Sequence, residues 1–299
     1  MNTLREVLAS DFLRNSVYVS LLIGLACPLV GVYLLLRRLV FLGVALPQIS
    51  SCGIAAAFAL HAWHIIPHLE EQSEQRLAFA GSMVLTLVAI LLLSFLERRG
   101  RGRELIEGRI GAAYVLAGAW SILLLVANPF GEHGLLDRLK GELVAVSDED
   151  LAWTAGTFGL VVFLLWLFQK EFMLVSFDRD MALTLKKNVV GWDTLLFLLI
   201  GMTVSMAVLN VGPLVTFGFL VLPPLIARVF ARTMLQFALA ASLIGAVTAL
   251  VGFCVAFKLD IPAGPTDIAL LGVLYGLAAG GHKLAALLWR ARAGRSVAP

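Results

Sequence analysis

Charged residues are scarce in this chain. Lys, Arg, Asp and Glu together make up 14% of its 299 residues, whereas hydrophobic residues make up 60% and the mean hydropathy is +0.92. A soluble globular domain carries about 25% charged residues, so this composition excludes a water-soluble enzyme or binding domain. The alternation of polar and apolar residues that marks a membrane barrel is also missing. Because only helices and closed barrels satisfy every backbone polar group in lipid, the sequence predicts an all-α polytopic membrane protein.

Cysteine is also scarce. The three residues Cys27, Cys52 and Cys254 all lie in apolar segments, and none has a partner nearby in sequence. Their placement indicates neither a disulfide framework nor a zinc site built from paired cysteines. We expect Cys27 and Cys254 to behave as small buried hydrophobes.

Two enzyme signatures are missing from the sequence. No G-x-x-x-x-G-K-[ST] phosphate loop exists, because the nearest arrangement, Gly102 and Gly108, is followed by Arg109. No H-E-x-x-H motif exists either, because His64 and His68 enclose Ile-Ile-Pro. The chain is therefore predicted to hydrolyse no ATP itself, and an intramembrane metalloenzyme is a disfavoured alternative.

Nine apolar segments can each span a bilayer, which takes about 17 to 25 helical residues. They predict a transmembrane helical bundle of eight or nine spans that forms a single domain over residues 1–299. The predicted spans are 17–36, 42–61, 77–96, 112–126, 151–167, 194–209, 211–227, 235–257 and 268–288.

The placement of Lys and Arg predicts the orientation, since loops rich in them stay in the cytoplasm. If the loop that holds Arg37 and Arg38 is cytoplasmic, so are all but six of the 23 basic residues. We therefore predict a multi-pass protein of the inner (plasma) membrane with its N-terminus outside and its C-terminus in the cytoplasm. Loops beside anionic lipid explain the net charge of +3, so no nucleic-acid partner is expected. The six external residues are Arg5, Arg14, Arg76, Arg138, Lys140 and Lys258.

After the first span the chain turns on paired arginines and re-enters the membrane through small and polar residues. Residues 36–53 read LRRLVFLGVALPQISSCG. This stretch resembles the family of ABC-type permeases that import zinc, manganese or iron, in which the arginines precede a pattern close to V-G-D-A-L-S-H-A-V-L-P-G. The Asp and His of that pattern are here Val44 and Gln48. The resemblance implies a transport pathway that lacks the two side chains expected to ligate a divalent cation.

The residues predicted to line this pathway are Val44, Gln48, Ser50, Ser51 and Cys52. Cys52 stands where the family has a Pro. Gln and Ser are neutral oxygen donors that hold a divalent ion more weakly than Asp and His, which favours passage over tight capture. The alternative is that these side chains hydrogen-bond a neighbouring helix.

A second motif, VSFDRDMALTLK at 175–186, is similar to the family's S-F-D-P-E-x-A-x-x-L-G segment. Asp178 can cap a short helix outside the lipid, with Asp180 in its first turn. In ABC permeases such a helix docks on the ATP-hydrolysing subunit, so the resemblance assigns coupling to residues 175–188. An ordinary solvated loop is the alternative, because Arg179 and Lys186 replace the family's Pro and Gly. The residues assigned to coupling are Asp178, Asp180, Met181, Ala182 and Leu185.

Two further motifs lie towards the C-terminus. The stretch GPLVTFGFLVLPPLIAR at 212–228 resembles the family's G-x-L-L-V-x-A-L-L-V-L-P-A-A-T-A-R. Since proline removes a helix hydrogen bond, Pro223 and Pro224 are predicted to break or kink this helix near its cytoplasmic end. The stretch KLDIPAGPT at 258–266 matches the family's external Y-x-L-D-L-P-x-G-x-T connection. It leads into glycines at 272, 276 and 280, a stripe that lets helix backbones approach closely.

The resemblance implies an assembly of two permease copies, two cytoplasmic ATPases and an external solute-binding protein, either periplasmic or a lipoprotein. The permease would bind no cofactor covalently, would use ATP only through the partner subunit, and would open a cavity to one side of the membrane at a time. Its substrate would be a divalent metal ion, namely zinc, manganese or iron. A metal chelate or another small solute is the alternative, because the family's metal ligands are replaced.

A histidine-rich loop follows the second span. His61, His64 and His68 have spacings that place them on one face of a helix, although Pro67 argues against an unbroken helix there. Imidazole and carboxylate suit zinc or another borderline divalent ion, so this loop is a candidate metal-collecting site. A loop that merely solvates the helix end is the alternative. The acidic residues beside it are Glu70, Glu71 and Glu74, and Glu132 and His133 follow in the next external loop.

A secondary transporter is the remaining alternative. It would need acids or bases inside the membrane to couple protons or sodium. The acids placed close to apolar cores are Asp193 and Asp267, and both are expected to lie at the membrane interface. A secondary transporter is therefore less favoured than a permease.

Overall fold

The computed structural model describes residues 11–62, 71–99, 103–126 and 146–295. Over these ranges the regular elements are all α-helices, which confirms the predicted fold class. In chain order they are α1 (Asp11–Leu36), α2 (Val40–Ala62), α3 (Glu71–Arg99), α4 (Arg103–Val126), α5 (Asp148–Leu167), α6 (Gln169–Phe177), α7 (Arg179–Thr184), α8 (Val189–Phe230), α9 (Met234–Leu259) and α10 (Ala263–Arg295).

Eight of the described helices, all except α6 and α7, are long and apolar enough to cross a membrane. Each predicted span falls on one of them. The predicted spans at 194–209 and 211–227 share the single helical element α8, so nine separate membrane helices become eight. The predicted spans are separated by residue 210 alone, and the chain leaves helical geometry close to it at a single residue, Gly212.

The element α8 cannot cross the membrane as one straight rod. Its 42 residues would measure about 63 Å, twice the ~30 Å of a bilayer's hydrocarbon core. Near its start, Asp193 pairs with Arg37 at 2.8 Å, while Leu220 packs against Gly31. Gly31 and Arg37 are only about 9 Å apart along α1, whereas a straight helix would separate Asp193 from Leu220 by about 40 Å. The element therefore folds back on itself.

The reversal lies at Gly212, whose φ of 75° and ψ of 171° belong to a region open essentially to glycine. Pro213 follows, and its fixed φ suits the first position of a new helix. Thr216 completes the turn because its hydroxyl donates to the carbonyl of Gly212 at 2.7 Å. With α8 passing twice, the eight helices make nine passes through the bundle.

The two ends of the bundle are marked by polar contacts. At one end, here called the arginine end, Arg37 pairs with Asp193. At the other, the asparagine end, Asn15 donates to the carboxylate of Asp148 at 2.7 Å and to the carbonyl of Val146 at 3.1 Å. Because the chain passes through the bundle nine times, α1 starts at one end of the bundle and α10 finishes at the other.

Close backbone contacts at glycine hold the helices together, with α8 at the centre against α1, α2, α9 and α10. A Cβ atom at Gly24 of α1 would lie 2.7 Å from the carbonyl oxygen of Gly245 in α9. A Cβ atom at Gly53 of α2 would lie 2.6 Å from the carbonyl oxygen of Gly81 in α3. Since real Cβ atoms do not approach that closely, larger residues at these positions would push the helices apart.

Pro223 and Pro224 are buried in the second half of α8, and Pro224 packs against Gly31. The residue of α8 with non-helical φ and ψ is Gly212, so the break in this element lies eleven positions before the first of the two prolines. A bend at Pro223 and Pro224 therefore stays a prediction. The break at Gly212 lies two residues from position 210, where the predicted spans 194–209 and 211–227 meet.

Candidate translocation path and coupling segment

Two of the predicted pathway residues share one face of α2. Val44 and Gln48 stand one helical turn apart, and both side chains are half-buried. The amide group of Gln48 lies over Gly118 of α4, where a Cβ atom would be 3.3 Å from Nε2. The missing side chain at Gly118 leaves the room that the Gln48 amide occupies.

Cys52 continues this face one turn further along α2. The Cys52 side chain is 8% exposed and lies near Ser121 of α4, whose buried hydroxyl has no hydrogen-bond partner within the described chain. Gln48 and Cys52 of α2 thus face Gly118 and Ser121 of α4. We call these four residues the α2–α4 seam. It contains one amide, one thiol and one hydroxyl, all uncharged donors.

Ser50 lies on another face of α2, away from the seam. The hydroxyl oxygens of Ser50 and Ser82 in α3 are 2.6 Å apart, and both residues are fully buried. Ser51 is 2% exposed. The structure thus divides the five predicted residues, since Ser50 binds a neighbouring helix whereas Gln48 and Cys52 face α4.

Two acids expected at the interface are in fact enclosed. Asp267 is 1% exposed, and its carboxylate occupies the space that a Cβ atom at Gly252 of α9 would fill. Asp193 has a side-chain exposure of 13% and pairs with Arg37. Asp267 lies in the second turn of α10, so its placement at the membrane interface stays a prediction, but its side chain is enclosed because a glycine on another helix makes room for it. The residues around Asp267 in sequence give no indication of its contact with Gly252.

Arg37 joins three parts of the arginine end. Its guanidinium pairs with Asp193 of α8 at 2.8 Å and lies 5.4 Å from the ring centroid of Phe197. Its Nε donates to the hydroxyl of Ser176 in α6 at 3.0 Å. Because α6 leads directly into α7, this cluster ties the short helix to the membrane helices α1 and α8.

The predicted coupling segment forms a short helix at the arginine end. Asp178 caps α7, as its sequence predicts, by accepting from the backbone N–H of Met181 at 2.9 Å. Asp180 lies in the first turn. Ala182 is fully buried against Val175 and Val189, so this residue fixes α7 to the bundle.

The outer face of α7 is apolar and uncovered within the described chain. The side chains of Phe177, Met181, Leu183 and Leu185 are 68%, 52%, 56% and 55% exposed. Exposed apolar patches of this kind mark contact surfaces for a partner. Met181 and Leu185 are one helical turn apart and therefore share a face.

The helix α7 ends where the family motif has glycine. Lys186 takes a left-handed backbone with φ of 54°. The N–H of Lys186 donates to the carbonyl of Leu183 and that of Lys187 to the carbonyl of Ala182, which is the hydrogen-bond pattern of a Schellman cap. Lys186 thus holds a conformation that glycine adopts without strain.

The predicted histidine site lies largely outside the described residues. His61 is half-buried in the last turn of α2, whereas His64, His68, Glu70, Glu132 and His133 fall in undescribed ranges. Within the described residues no group of three or more His, Cys, Asp or Glu side chains is placed to hold a metal ion. The site stays a prediction.

Comparison with known proteins gives a consistent result over nearly the whole chain. The model of the ABC 3 transport family matches residues 9–279. A probable iron transport system membrane protein of Haemophilus influenzae is 24% identical over 92% of both chains. The manganese transport system membrane protein MntC of Halalkalibacterium halodurans is 23% identical over 91% of this chain and 88% of its own. The solved structure of PsaBC from Streptococcus pneumoniae in complex with Fab matches with a TM-score of 0.80 and 21% identity, over 93% of this chain and 94% of that one, which shows the same fold.

Proposed function

Because the chain belongs to the ABC 3 transport family, we propose that it is the membrane permease of an importer that moves a divalent metal ion. Relatives of similar length carry the names of iron and manganese transport proteins, which favours those two metals, with zinc as a third. The observation that carries the proposal is the capped helix α7, whose apolar face is presented outside the membrane bundle.

We propose that the α2–α4 seam forms part of the metal's path. Gln48 and Cys52 offer an amide oxygen and a sulfur, and Ser121 adds a hydroxyl. Neutral donors bind a dehydrated divalent ion less tightly than carboxylate and imidazole, so the ion would pass without being trapped. Val44 lies one turn before Gln48 on α2, which supports a path along the positions of the two replaced family ligands.

A metal chelate is the second candidate substrate. One observation favours it, namely that the described residues contain no cluster of three acidic, His or Cys side chains. A chelated metal brings its own ligands and needs only a cavity of suitable shape. The histidine-rich loop at 61–74 would then have no part in collecting the substrate.

We propose that an ATPase subunit docks on α7. Closure of the ATPase subunit would push on Met181 and Leu185. The buried Ala182 would transmit that movement from α7 to the bundle. Arg37 would carry it further, because this side chain contacts Ser176 next to α7 and Asp193 of α8. The helix α8 would then shift against α2 and change the access to the seam.

Three further parts of the proposal concern assembly. A second permease copy would pack on α10, where Gly272, Gly276 and Gly280 have open space beside them. An external binding protein would deliver the substrate at the asparagine end. The arginine end would face the cytoplasm, so the N-terminus would lie outside.

The coupling role of α7 can be tested with Asp180→Arg combined with Leu185→Asp. These changes reverse the charge of the first turn and place a carboxylate on the apolar face, so they should abolish docking. In proteoliposomes with the ATPase and the binding protein, we expect ATP hydrolysis to lose its stimulation by the permease, with the permease still folded.

Lys170→Glu is the matched control, since it reverses an exposed charge at the arginine end outside α7. It should leave the stimulation intact. Unaltered stimulation in the α7 double variant would remove the coupling assignment and leave α7 as a solvated connection.

A further inference from the structure

A basic groove opens at the arginine end, away from the path and beside the coupling segment, whose Phe177 forms part of its wall. It has a volume of about 500 Å³, and three arginines line it, namely Arg38, Arg228 and Arg232. They come from the turn after α1, the end of α8 and the link to α9. Within the described chain none of the three has an ion-pair partner, and no acidic residue lines the groove. The groove therefore carries uncompensated positive charge.

The beginning of α9 adds to this charge. Thr233 caps the helix by accepting from the N–H of Gln236, and the side chain of Gln236 accepts in turn from the N–H of Arg232. The next two backbone N–H groups, at Met234 and Leu235, have no carbonyl partner inside the helix. Unpaired N–H groups at a helix start attract anions, so they reinforce the three arginines.

The other walls of the groove are apolar. Leu35, Leu36, Phe177, Met234 and Phe237 line it together with the arginines. A site for a free anion such as phosphate would gain nothing from five large apolar side chains. A ligand that joins an anionic head to a hydrocarbon chain would use both parts of this surface.

An apolar track continues from the groove along α9. Leu235, Leu239, Leu243, Val247 and Val251 follow at four-residue intervals, and their side chains are between 48% and 63% exposed. Since each four-residue step advances only about 40° around the helix, they form a continuous stripe that winds along one side of α9. Because α9 crosses the membrane, this side faces lipid or a neighbouring chain, and it starts beside the arginines.

We infer that this groove is a binding site for an anionic phospholipid of the leaflet at the arginine end. The phosphate lies among Arg38, Arg228 and Arg232 at the start of α9, and an acyl chain runs along the exposed leucines. Bound there, the lipid links the α1–α2 turn to the end of α8 and so braces the arginine end of the bundle.

The test uses the full chain in nanodiscs of phosphatidylcholine with a minor fraction of phosphatidylglycerol. Native mass spectrometry then measures which lipid stays bound. We expect phosphatidylglycerol to be enriched over its share in the disc. Each arginine replaced by Gln should lower the enrichment roughly fivefold, as expected for one basic residue at a membrane surface.

The decisive variant is Arg38→Gln with Arg228→Gln and Arg232→Gln, and Lys170→Gln is the control, since that exposed residue at the same end does not line the groove. If the triple variant does not fold, the enrichment is measured with Arg232→Gln alone. Equal enrichment in the wild type and Arg232→Gln would overturn the inference.

Two further measurements distinguish other occupants. Inorganic phosphate at millimolar concentration should not displace the lipid, and displacement would mean a free-anion site instead. The complex with the ATPase should retain the lipid, and complete loss on assembly would mean that the groove is a contact for an acidic surface of that subunit.

Discussion

At the scale of single residues, two of the three non-glycine residues with a left-handed backbone in the described chain lie at the arginine end, and the third is Asp260 after α9. Arg38 and Lys186 both take a left-handed backbone, with φ of 57° and 54°. For a residue with a side chain this conformation costs about 1–2 kcal/mol. Arg38 forms the turn between α1 and α2, and Lys186 ends α7. Both turns shape surfaces that we assign to partners, an anionic lipid and an ATPase.

Lys186→Gly should raise the free energy of unfolding. Glycine relieves the left-handed strain, although it also gives the unfolded chain more freedom, so the net gain should be about 0.5–1 kcal/mol. Thermal unfolding of the purified chain measures it. Lys187→Gly is the control and should bring no gain, because Lys187 has no left-handed backbone. Equal effects of the two changes would contradict the cap geometry.

Predictions about single residues were correct where the deciding interaction lies within a few residues in sequence. Asp178 was identified as a helix cap because a cap needs only the residues that follow it. The burial of Asp267 was missed because it depends on Gly252, a residue of another helix. The contact between Ser50 and Ser82 was left as an alternative for the same reason, since pairing between helices is absent from the local pattern.

At the scale of elements, glycines set how closely the helices approach. Gly24→Val should lower the free energy of unfolding by about 1–3 kcal/mol, because the added side chain would overlap the backbone of Gly245 in α9. Chemical or thermal denaturation in detergent measures the loss. Gly156→Val is the control, since open space surrounds Gly156 of α5 and the helix propensity changes equally. Equal losses would show that propensity, and not packing, decides the result.

The helices themselves were largely predictable, because hydrophobic length alone marks a membrane span. The reversal in α8 was located to within two residues, because the predicted spans 194–209 and 211–227 meet at residue 210 and helical geometry breaks at Gly212. A bend at Pro223 and Pro224 stays a prediction. Gly212 supplies the backbone that only glycine tolerates. The pair Gly212-Pro213 was the available signal, since Pro suits the first position of a helix.

At the scale of the whole molecule, the reversal at Gly212 decides the topology. With nine passes, Lys170 and Lys258 lie on opposite sides of the membrane, whereas a single pass of α8 would place them on the same side. We expect Lys258→Cys to react with an impermeant maleimide in intact cells, and Lys170→Cys to react only after permeabilisation. The native cysteines are buried or half-buried and should be replaced first.

Each other outcome of the labelling has a definite meaning. Labelling of Lys170→Cys alone in intact cells would reverse the proposed orientation but keep the nine passes. Labelling of both variants, or of neither, would contradict the fold-back.

The central claim is that this permease carries a free divalent metal ion along the α2–α4 seam at the expense of ATP. The most direct test is uptake into proteoliposomes that hold the chain, its ATPase and its binding protein. Manganese, iron, zinc and chelated metal are each supplied with ATP. Gln48→Leu is compared with Ser50→Ala, since Ser50 lies away from the seam. Val44→Asp with Gln48→His adds the family's ligands.

We predict ATP-dependent uptake of free manganese or iron by the wild type. The uptake rate should fall several-fold in Gln48→Leu and stay near the wild-type rate in Ser50→Ala. The variant with Val44→Asp and Gln48→His should retain the metal more tightly. Uptake of the chelate alone, or of none of these metals, would contradict the account.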